Sequence, residues 1–180
     1  PLDNLWSYLG RLILLSVVIS LFFTFLYMYR MDVFSDWKMI LLMSIIMLFQ
    51  MLLAYLIINY FQFSEYLVPI SVGALTLTIL FDARIGFMST VAVAILVGLM
   101  MGQNIDFVIS SLFISTVGVY NIRELRKRSQ LFTTMFALIG ASIIVIIAIG
   151  LFKEQSWSKI ILDLQILTLN CFLAPIITYG

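Results

Sequence analysis

The chain contains no histidine, one cysteine and few charged residues, and each of these shortages excludes a class of protein. Without histidine there is no imidazole to ligate a metal or haem, or to activate a serine or cysteine nucleophile. Cys171 has no partner for an internal disulfide, and its apolar surroundings are typical of an inert, buried thiol. Charged residues make up only 11% of the chain, against roughly 25% in soluble domains, so the composition argues against a water-soluble fold.

Glycine-rich nucleotide-binding motifs are also missing. No residue of this chain is therefore predicted to be catalytic, to bind a cofactor or to ligate a metal, and no nucleic-acid partner is expected.

Long apolar runs are what the chain has in abundance: 63% of its residues are hydrophobic, and the mean hydropathy is +1.16. A membrane-spanning helix needs about 20 apolar residues. The runs predict seven spans, over residues 8–29, 39–61, 67–81, 85–101, 107–120, 131–152 and from 160 onward. We therefore expect an all-α integral membrane fold, a compact bundle of seven transmembrane helices in a single domain over residues 1–180. Spans three to five are short, and a second interpretation pairs two of them as a re-entrant hairpin.

Basic residues are distributed unevenly between the two ends of this predicted bundle. Seven of them fall at one end: Arg30, Lys38, Arg84, Arg123, Arg126, Lys127 and Arg128. The other end receives three: Arg11, Lys153 and Lys159. Because Lys and Arg are retained on the cytoplasmic side, this asymmetry predicts an N-terminus outside and a C-terminus in the cytoplasm.

Small residues recur at every fourth position in the fourth span, at Gly86, Thr90, Ala94, Gly98 and Gly102. Residues four apart lie on one helix face, and small side chains let two helix backbones approach closely in lipid. This row predicts a helix-packing face.

Three polar side chains lie within predicted spans: Gln50, Asp163 and Asn170. Hydrogen bonds between helices are one interpretation of them, and an ion or proton path is the other. Asp82 and Arg84 flank a tight turn between the third and fourth spans, where we expect a local ion pair of little energetic value.

Four motifs in a fixed order give the chain a family resemblance: YLVP at 66–69, LTILFDAR at 77–84, GVYNIR at 118–123 and RKRSQL at 126–131. Together they resemble the membrane domain of the bacterial seven-transmembrane HD proteins. Weaker similarity extends over nearly all 180 residues. Phe81 stands where that family usually has leucine.

The resemblance implies an outward-facing domain before this bundle and a cytoplasmic HD phosphohydrolase after it. Characterised members hydrolyse cyclic di-AMP, so Mn or Fe is expected in that further domain and not in this chain. The implied role is a signal-transmitting anchor in the bacterial inner membrane. Its expected partners are the lipid bilayer, its own HD domain, and other membrane proteins or a homodimer mate.

Two features of the chain bear on this reading. The chain begins at Pro1 and stops in an apolar run, so we expect a piece of a longer protein. Six residues are predicted to lie at the cytoplasmic face as coupling positions: Asp82, Arg84, Arg123, Arg126, Lys127 and Arg128. The alternatives are a small-molecule transporter component and a structural subunit of a larger membrane complex.

Overall fold

The computed structural model describes residues 2–102, 104–122 and 130–179, and in these ranges every long element is a helix. In chain order they are α1 Leu2–Tyr29, α2 Met31–Ser35, α3 Trp37–Tyr55, α4 Ile70–Leu80, α5 Ala83–Met100, α6 Ile105–Ile122, α7 Gln130–Phe152 and α8 Trp157–Tyr179. A π-helical turn, Leu56–Tyr60, extends α3, and a 3₁₀ turn, Glu65–Leu67, precedes α4.

Six of the described helices are long and apolar enough to cross a membrane: α1, α3 with its π-helical extension, α5, α6, α7 and α8. The prediction of an all-α membrane fold is therefore confirmed. The third predicted span differs from the rest, because α4 has only 11 residues and rises about 16 Å, roughly half of a hydrocarbon core. The count of seven spans and the orientation of the termini stay predictions.

The short helix α4 is central to the bundle. It packs against α3, α5, α6 and α8, and seven of its residues are buried. The two N-terminal long helices are peripheral: α1 packs on α5, and both α1 and α3 expose many large apolar side chains. An apolar periphery of this kind suits contact with lipid tails.

The row of small residues on α5 is where neighbouring helices come closest. Gly86, Thr90, Ala94 and Gly98 are all buried. A Cβ on Gly86 would lie 2.9 Å from the carbonyl oxygen of Ala74 and would overlap Thr78, both on α4. At the other end of the row, a Cβ on Gly98 would overlap Val108 on α6. The row of small residues on α5 therefore packs against α4 at one end and against α6 at the other.

Gly102 does not continue this row. The helix ends at Met100, and Gly102 has a φ of 75°, a left-handed conformation that glycine adopts at little cost. Among the described residues, no neighbouring atom lies within 4 Å of a Cβ built there. The four-residue spacing predicted that Gly102 lies on the packing face, but Gly102 follows the end of the helix, where a left-handed glycine is a common terminator.

Candidate functional site

The segment before α4, residues 61–69, is mostly non-helical, and we call it the α4 break. Its backbone carbonyls are bonded by amide side chains from two flanking helices. Asn170 Nδ2 on α8 donates to the carbonyl oxygens of Tyr66 and Val68, each at 3.0 Å. Gln50 Nε2 on α3 donates to the carbonyl oxygen of Ile70 at 3.0 Å and to that of Pro69 at 3.3 Å. The interhelical hydrogen bonding predicted for Gln50 and Asn170 is confirmed.

These amides place the start of α4 deep in the bundle. Gln50 lies near the middle of Trp37–Tyr60, and Asn170 lies near the middle of α8. Helix α4 therefore begins at about half depth and runs to one end of the bundle. Irregular backbone is tolerated at membrane depth only where protein or water satisfies its polar groups, and here two amides do so.

A close approach makes the Gln50 contact possible. A Cβ on Gly73, in the first turn of α4, would overlap the side-chain amide of Gln50. Glycine at this position therefore lets the amide lie flat against the helix and reach the carbonyls at its start.

Next to the α4 break is an open cavity of about 1110 Å³, which we call the polar cleft. It lies at the end of the bundle where α5 leads into α6 and α7 leads into α8. Its charged and polar lining includes Ser64, Glu65, Asn104, Asp106, Lys153, Gln155, Lys159 and Asp163. Apolar side chains such as Ile109, Ile149 and Phe152 complete the wall, and Gly102 also lines the cavity. Tyr66, in the α4 break, is part of the lining, so the cleft reaches the broken helix directly.

Most charges in the polar cleft have partners. Lys153 Nζ forms an ion pair with Asp106, which joins the end of α7 to the start of α6. Asn104 Nδ2 donates to a carboxylate oxygen of Glu65. Burial, followed by the negative charges of Asp106 and Asp163, raises the pKa of Glu65 above its ordinary value.

A second, much smaller cavity lies beneath the cleft, between α4, α6 and α8. Its volume is about 20 Å³, room for about one water molecule, and Tyr66 lines both cavities. Ser115 Oγ is buried beside it and makes no hydrogen bond with any residue that the structure describes.

At the opposite end of the bundle, Asp82 joins three elements. Its Oδ1 accepts from the backbone N–H of Ile85 at 2.8 Å and so caps the start of α5. Its other oxygen forms an ion pair with Arg30, which follows α1. Arg30 also donates twice to Asp32, and this hydrogen bonding lowers the pKa of Asp32.

The predicted ion pair between Asp82 and Arg84 is therefore wrong. Asp82 faces α1 and pairs with Arg30, 52 positions away in sequence, while Arg84 is exposed. Because Oδ1 of Asp82 caps the start of α5, the side chain is held in an orientation that directs its other oxygen, Oδ2, at Arg30 after the end of α1.

The remaining predicted coupling residues lie outside the described residues: Arg123, Arg126, Lys127 and Arg128. The polar cleft was not among the sites predicted from the sequence. The sequence nevertheless contains an indication of it, because Glu65, Asp106 and Asp163 each lie near a boundary of an apolar run at one predicted end of the bundle. Within the described ranges, no cluster of three His, Cys, Asp or Glu side chains has the arrangement to hold a metal ion.

Comparison with known proteins gives one result. A family model described as a 7TM receptor with intracellular HD hydrolase matches residues 5–180. No curated protein and no solved structure matches the chain.

Proposed function

The chain belongs to the family of 7TM receptors with an intracellular HD hydrolase, and we propose that its bundle anchors and regulates an HD phosphohydrolase that cleaves cyclic di-AMP. Membership makes this bundle a membrane sensory domain of an HD protein. The finer proposal, cyclic di-AMP as substrate and Mn or Fe as the metal, is supported by the motif resemblance at residues 66–131. The hydrolase itself would follow this bundle in the same protein.

One observation supports signal transmission: α4 connects the polar cleft with the charged end of the bundle. The segment that leads into it contributes Glu65 and Tyr66 to the cleft lining. The last residue of α4 is Leu80, and Asp82, two positions later, pairs with Arg30. A displacement of the α4 break at the cleft is thereby passed along one short helix to the opposite end.

The proposal includes the orientation and surroundings of the bundle. The basic asymmetry supports an orientation with the Asp82 end in the cytoplasm, facing the hydrolase, and the motif resemblance supports a location in the bacterial inner membrane. The cluster Arg126, Lys127 and Arg128 would hold anionic lipid or an acidic face of the HD domain at about 1 kcal/mol per charge.

The experiment compares full-length variants in membranes by their rate of cyclic di-AMP hydrolysis. Changing Arg126, Lys127 and Arg128 to Gln, with Arg123 kept for topology, is expected to change the rate relative to wild type. Lys38→Gln is the matched control, since it removes a positive charge at the same predicted end but outside the cluster. The isolated HD domain supplies the uncoupled rate.

Two outcomes would contradict parts of the proposal. A triple variant that hydrolyses at the wild-type rate shows that the cluster serves topology alone. A full-length wild-type protein without cyclic di-AMP hydrolysis shows that the substrate assignment is wrong.

A further inference from the structure

Asp163 is the one carboxylate lining the polar cleft that has neither an ion pair nor a hydrogen bond with a described residue. Only 8% of its surface is exposed, and it lies on α8, two turns before Asn170. Lys159, one turn earlier on the same helix, is exposed and forms no ion pair with it among the described residues. Lys153 is already paired with Asp106.

A buried carboxylate without a partner is costly, and ionisable groups in membrane proteins usually pair with an opposite charge. Among the described residues, Lys159 attracts Asp163 electrostatically but forms neither an ion pair nor a hydrogen bond with it, so the carboxylate has no direct partner. Glu65, across the same cleft, adds a second carboxylate whose only described side-chain hydrogen bond comes from the neutral amide of Asn104, with Lys153 and Lys159 acting on it without an ion pair. The unpaired Asp163 and this second carboxylate together favour a cation from outside.

The rest of the lining indicates what kind of cation fits. The cleft volume of about 1110 Å³ is far larger than a bare metal ion needs, and no described cluster is arranged to ligate one. Ile109, Ile149 and Phe152 give the cleft an apolar wall beside its carboxylates. A charged group attached to a hydrocarbon body matches both surfaces.

We propose that the polar cleft binds an organic ammonium ion, with the carboxylate of Asp163 pairing with its nitrogen and the apolar wall holding its hydrocarbon part. Glu65 and Tyr66 belong to the α4 break, so an occupant of the cleft also contacts the segment that leads into α4. The sensing role of this site rests on the proposed function, whereas binding itself does not.

The test uses the full-length protein in nanodiscs of zwitterionic lipid and measures heats of binding. The probes are methylammonium, butylammonium and hexylammonium, with butanol and hexanol as uncharged counterparts and empty nanodiscs as the background for partitioning. We expect saturable binding of the ammonium ions, tighter with the longer chains, and none of the alcohols.

Asp163→Asn is expected to weaken this binding at least tenfold, and Asp163→Glu to restore most of it. Glu154→Gln is the matched control, because it removes an exposed negative charge near the same end of the bundle without changing the cleft lining. Thermal unfolding of each variant reports whether it is folded, and Glu65→Gln gives a second weakened variant should Asp163→Asn not fold.

Three results would overturn the proposal: no saturable binding of any ammonium probe, equal binding by Asp163→Asn, or equal competition by sodium at the same concentration. Hydrolysis is measured on the same samples. Binding without any change in hydrolysis keeps the site and removes its sensing role, so failure of the site and failure of the proposed function are separable.

Discussion

At the scale of single residues, glycine lets neighbouring helices approach more closely than any residue with a side chain would allow. Gly86 on α5 contacts α4 so closely that any Cβ would meet the carbonyl oxygen of Ala74 and the side chain of Thr78. Gly140 on α7 is its counterpart in open space, with no neighbouring atom of the described ranges within 4 Å of a Cβ. The two glycines look equivalent in sequence and differ only in what surrounds them.

This contrast gives the first prediction. Gly86→Leu should destabilise the bundle by about 1–3 kcal/mol, since overpacking forces the helices apart. Gly140→Leu should be neutral or slightly stabilising, because both variants gain about 1 kcal/mol of helix propensity and only the first meets a neighbour. Thermal unfolding in detergent measures the difference. Equal melting temperatures for the two variants would contradict the close contact.

A second prediction concerns the pH dependence of stability at Glu65. Its pKa is raised in the folded protein, by burial first and then by Asp106 and Asp163, with Lys153 and Lys159 acting in the opposite direction. A raised carboxyl pKa means that the folded state holds a proton the unfolded state has lost. Its ionisation therefore costs stability as the pH rises from the ordinary pKa through the folded one, and that cost persists above both values.

Glu65→Gln removes this cost and keeps an oxygen that accepts from Asn104. We expect the variant to melt at a higher temperature than wild type at about pH 8, with the difference shrinking toward about pH 4. Melting curves across that range give the answer. A variant less stable than wild type at high pH would show that the carboxylate stabilises the cleft.

At the scale of elements, the break before α4 sets the architecture. Asn170 and Gln50 bond its carbonyls from α8 and α3, so three segments distant in sequence are joined at half depth. The carbonyl oxygens of Val68 and Pro69 also accept backbone bonds from Ile70 and Val72, so the amides complete the hydrogen bonding of the break rather than supply all of it. Polar groups of irregular backbone need partners in lipid, and this makes the amides structurally important despite the modest strength of single membrane hydrogen bonds.

The corresponding prediction compares two amides on α8. Asn170→Leu leaves the carbonyls of Tyr66 and Val68 without their side-chain donor, and should cost about 1–3 kcal/mol of stability. Gln165→Leu, on the exposed side of the same helix, should be neutral or stabilising. Thermal unfolding of both purified variants decides the point. Should Asn170→Leu unfold no earlier than Gln165→Leu, the amide would not be holding the α4 break.

The long helices and the hydrogen bonding of Gln50 and Asn170 could be predicted from the sequence, whereas the partners of the charged side chains could not. Six apolar runs became long helices with ends near the predicted ones, because length and hydropathy determine whether a segment suits a membrane. The third run became an 11-residue helix that starts at Ile70, since Pro69 disfavours helical backbone at Val68 and Asn170 bonds the extended backbone there. Partners such as Arg30 for Asp82, or Asn104 for Glu65, depend on how distant helices pack, which spacing in the chain does not encode.

At the scale of the whole molecule, charged contacts lie at two opposite ends of the bundle. Arg30 and Asp82 lie at one end, where α1 finishes and α5 begins. Lys153 and Asp106 lie at the other, beside the polar cleft. Which end faces the cytoplasm decides whether the polar cleft is open to an external ligand, so orientation is the property on which the sensory role depends.

The last prediction tests that orientation. Cysteine is introduced singly at Ser129, which follows the basic cluster, or at Ser156, which precedes α8 at the cleft end. Cys171 is first replaced by Ala; it is buried, and the change removes a background thiol. In intact cells, a membrane-impermeant thiol reagent should label the cysteine at 156 and spare the one at 129, because basic residues are retained inside. Both positions should label after the cells are permeabilised, which controls for access. The reverse pattern, labelling at 129 alone, would place the polar cleft in the cytoplasm and contradict an external signal reaching it.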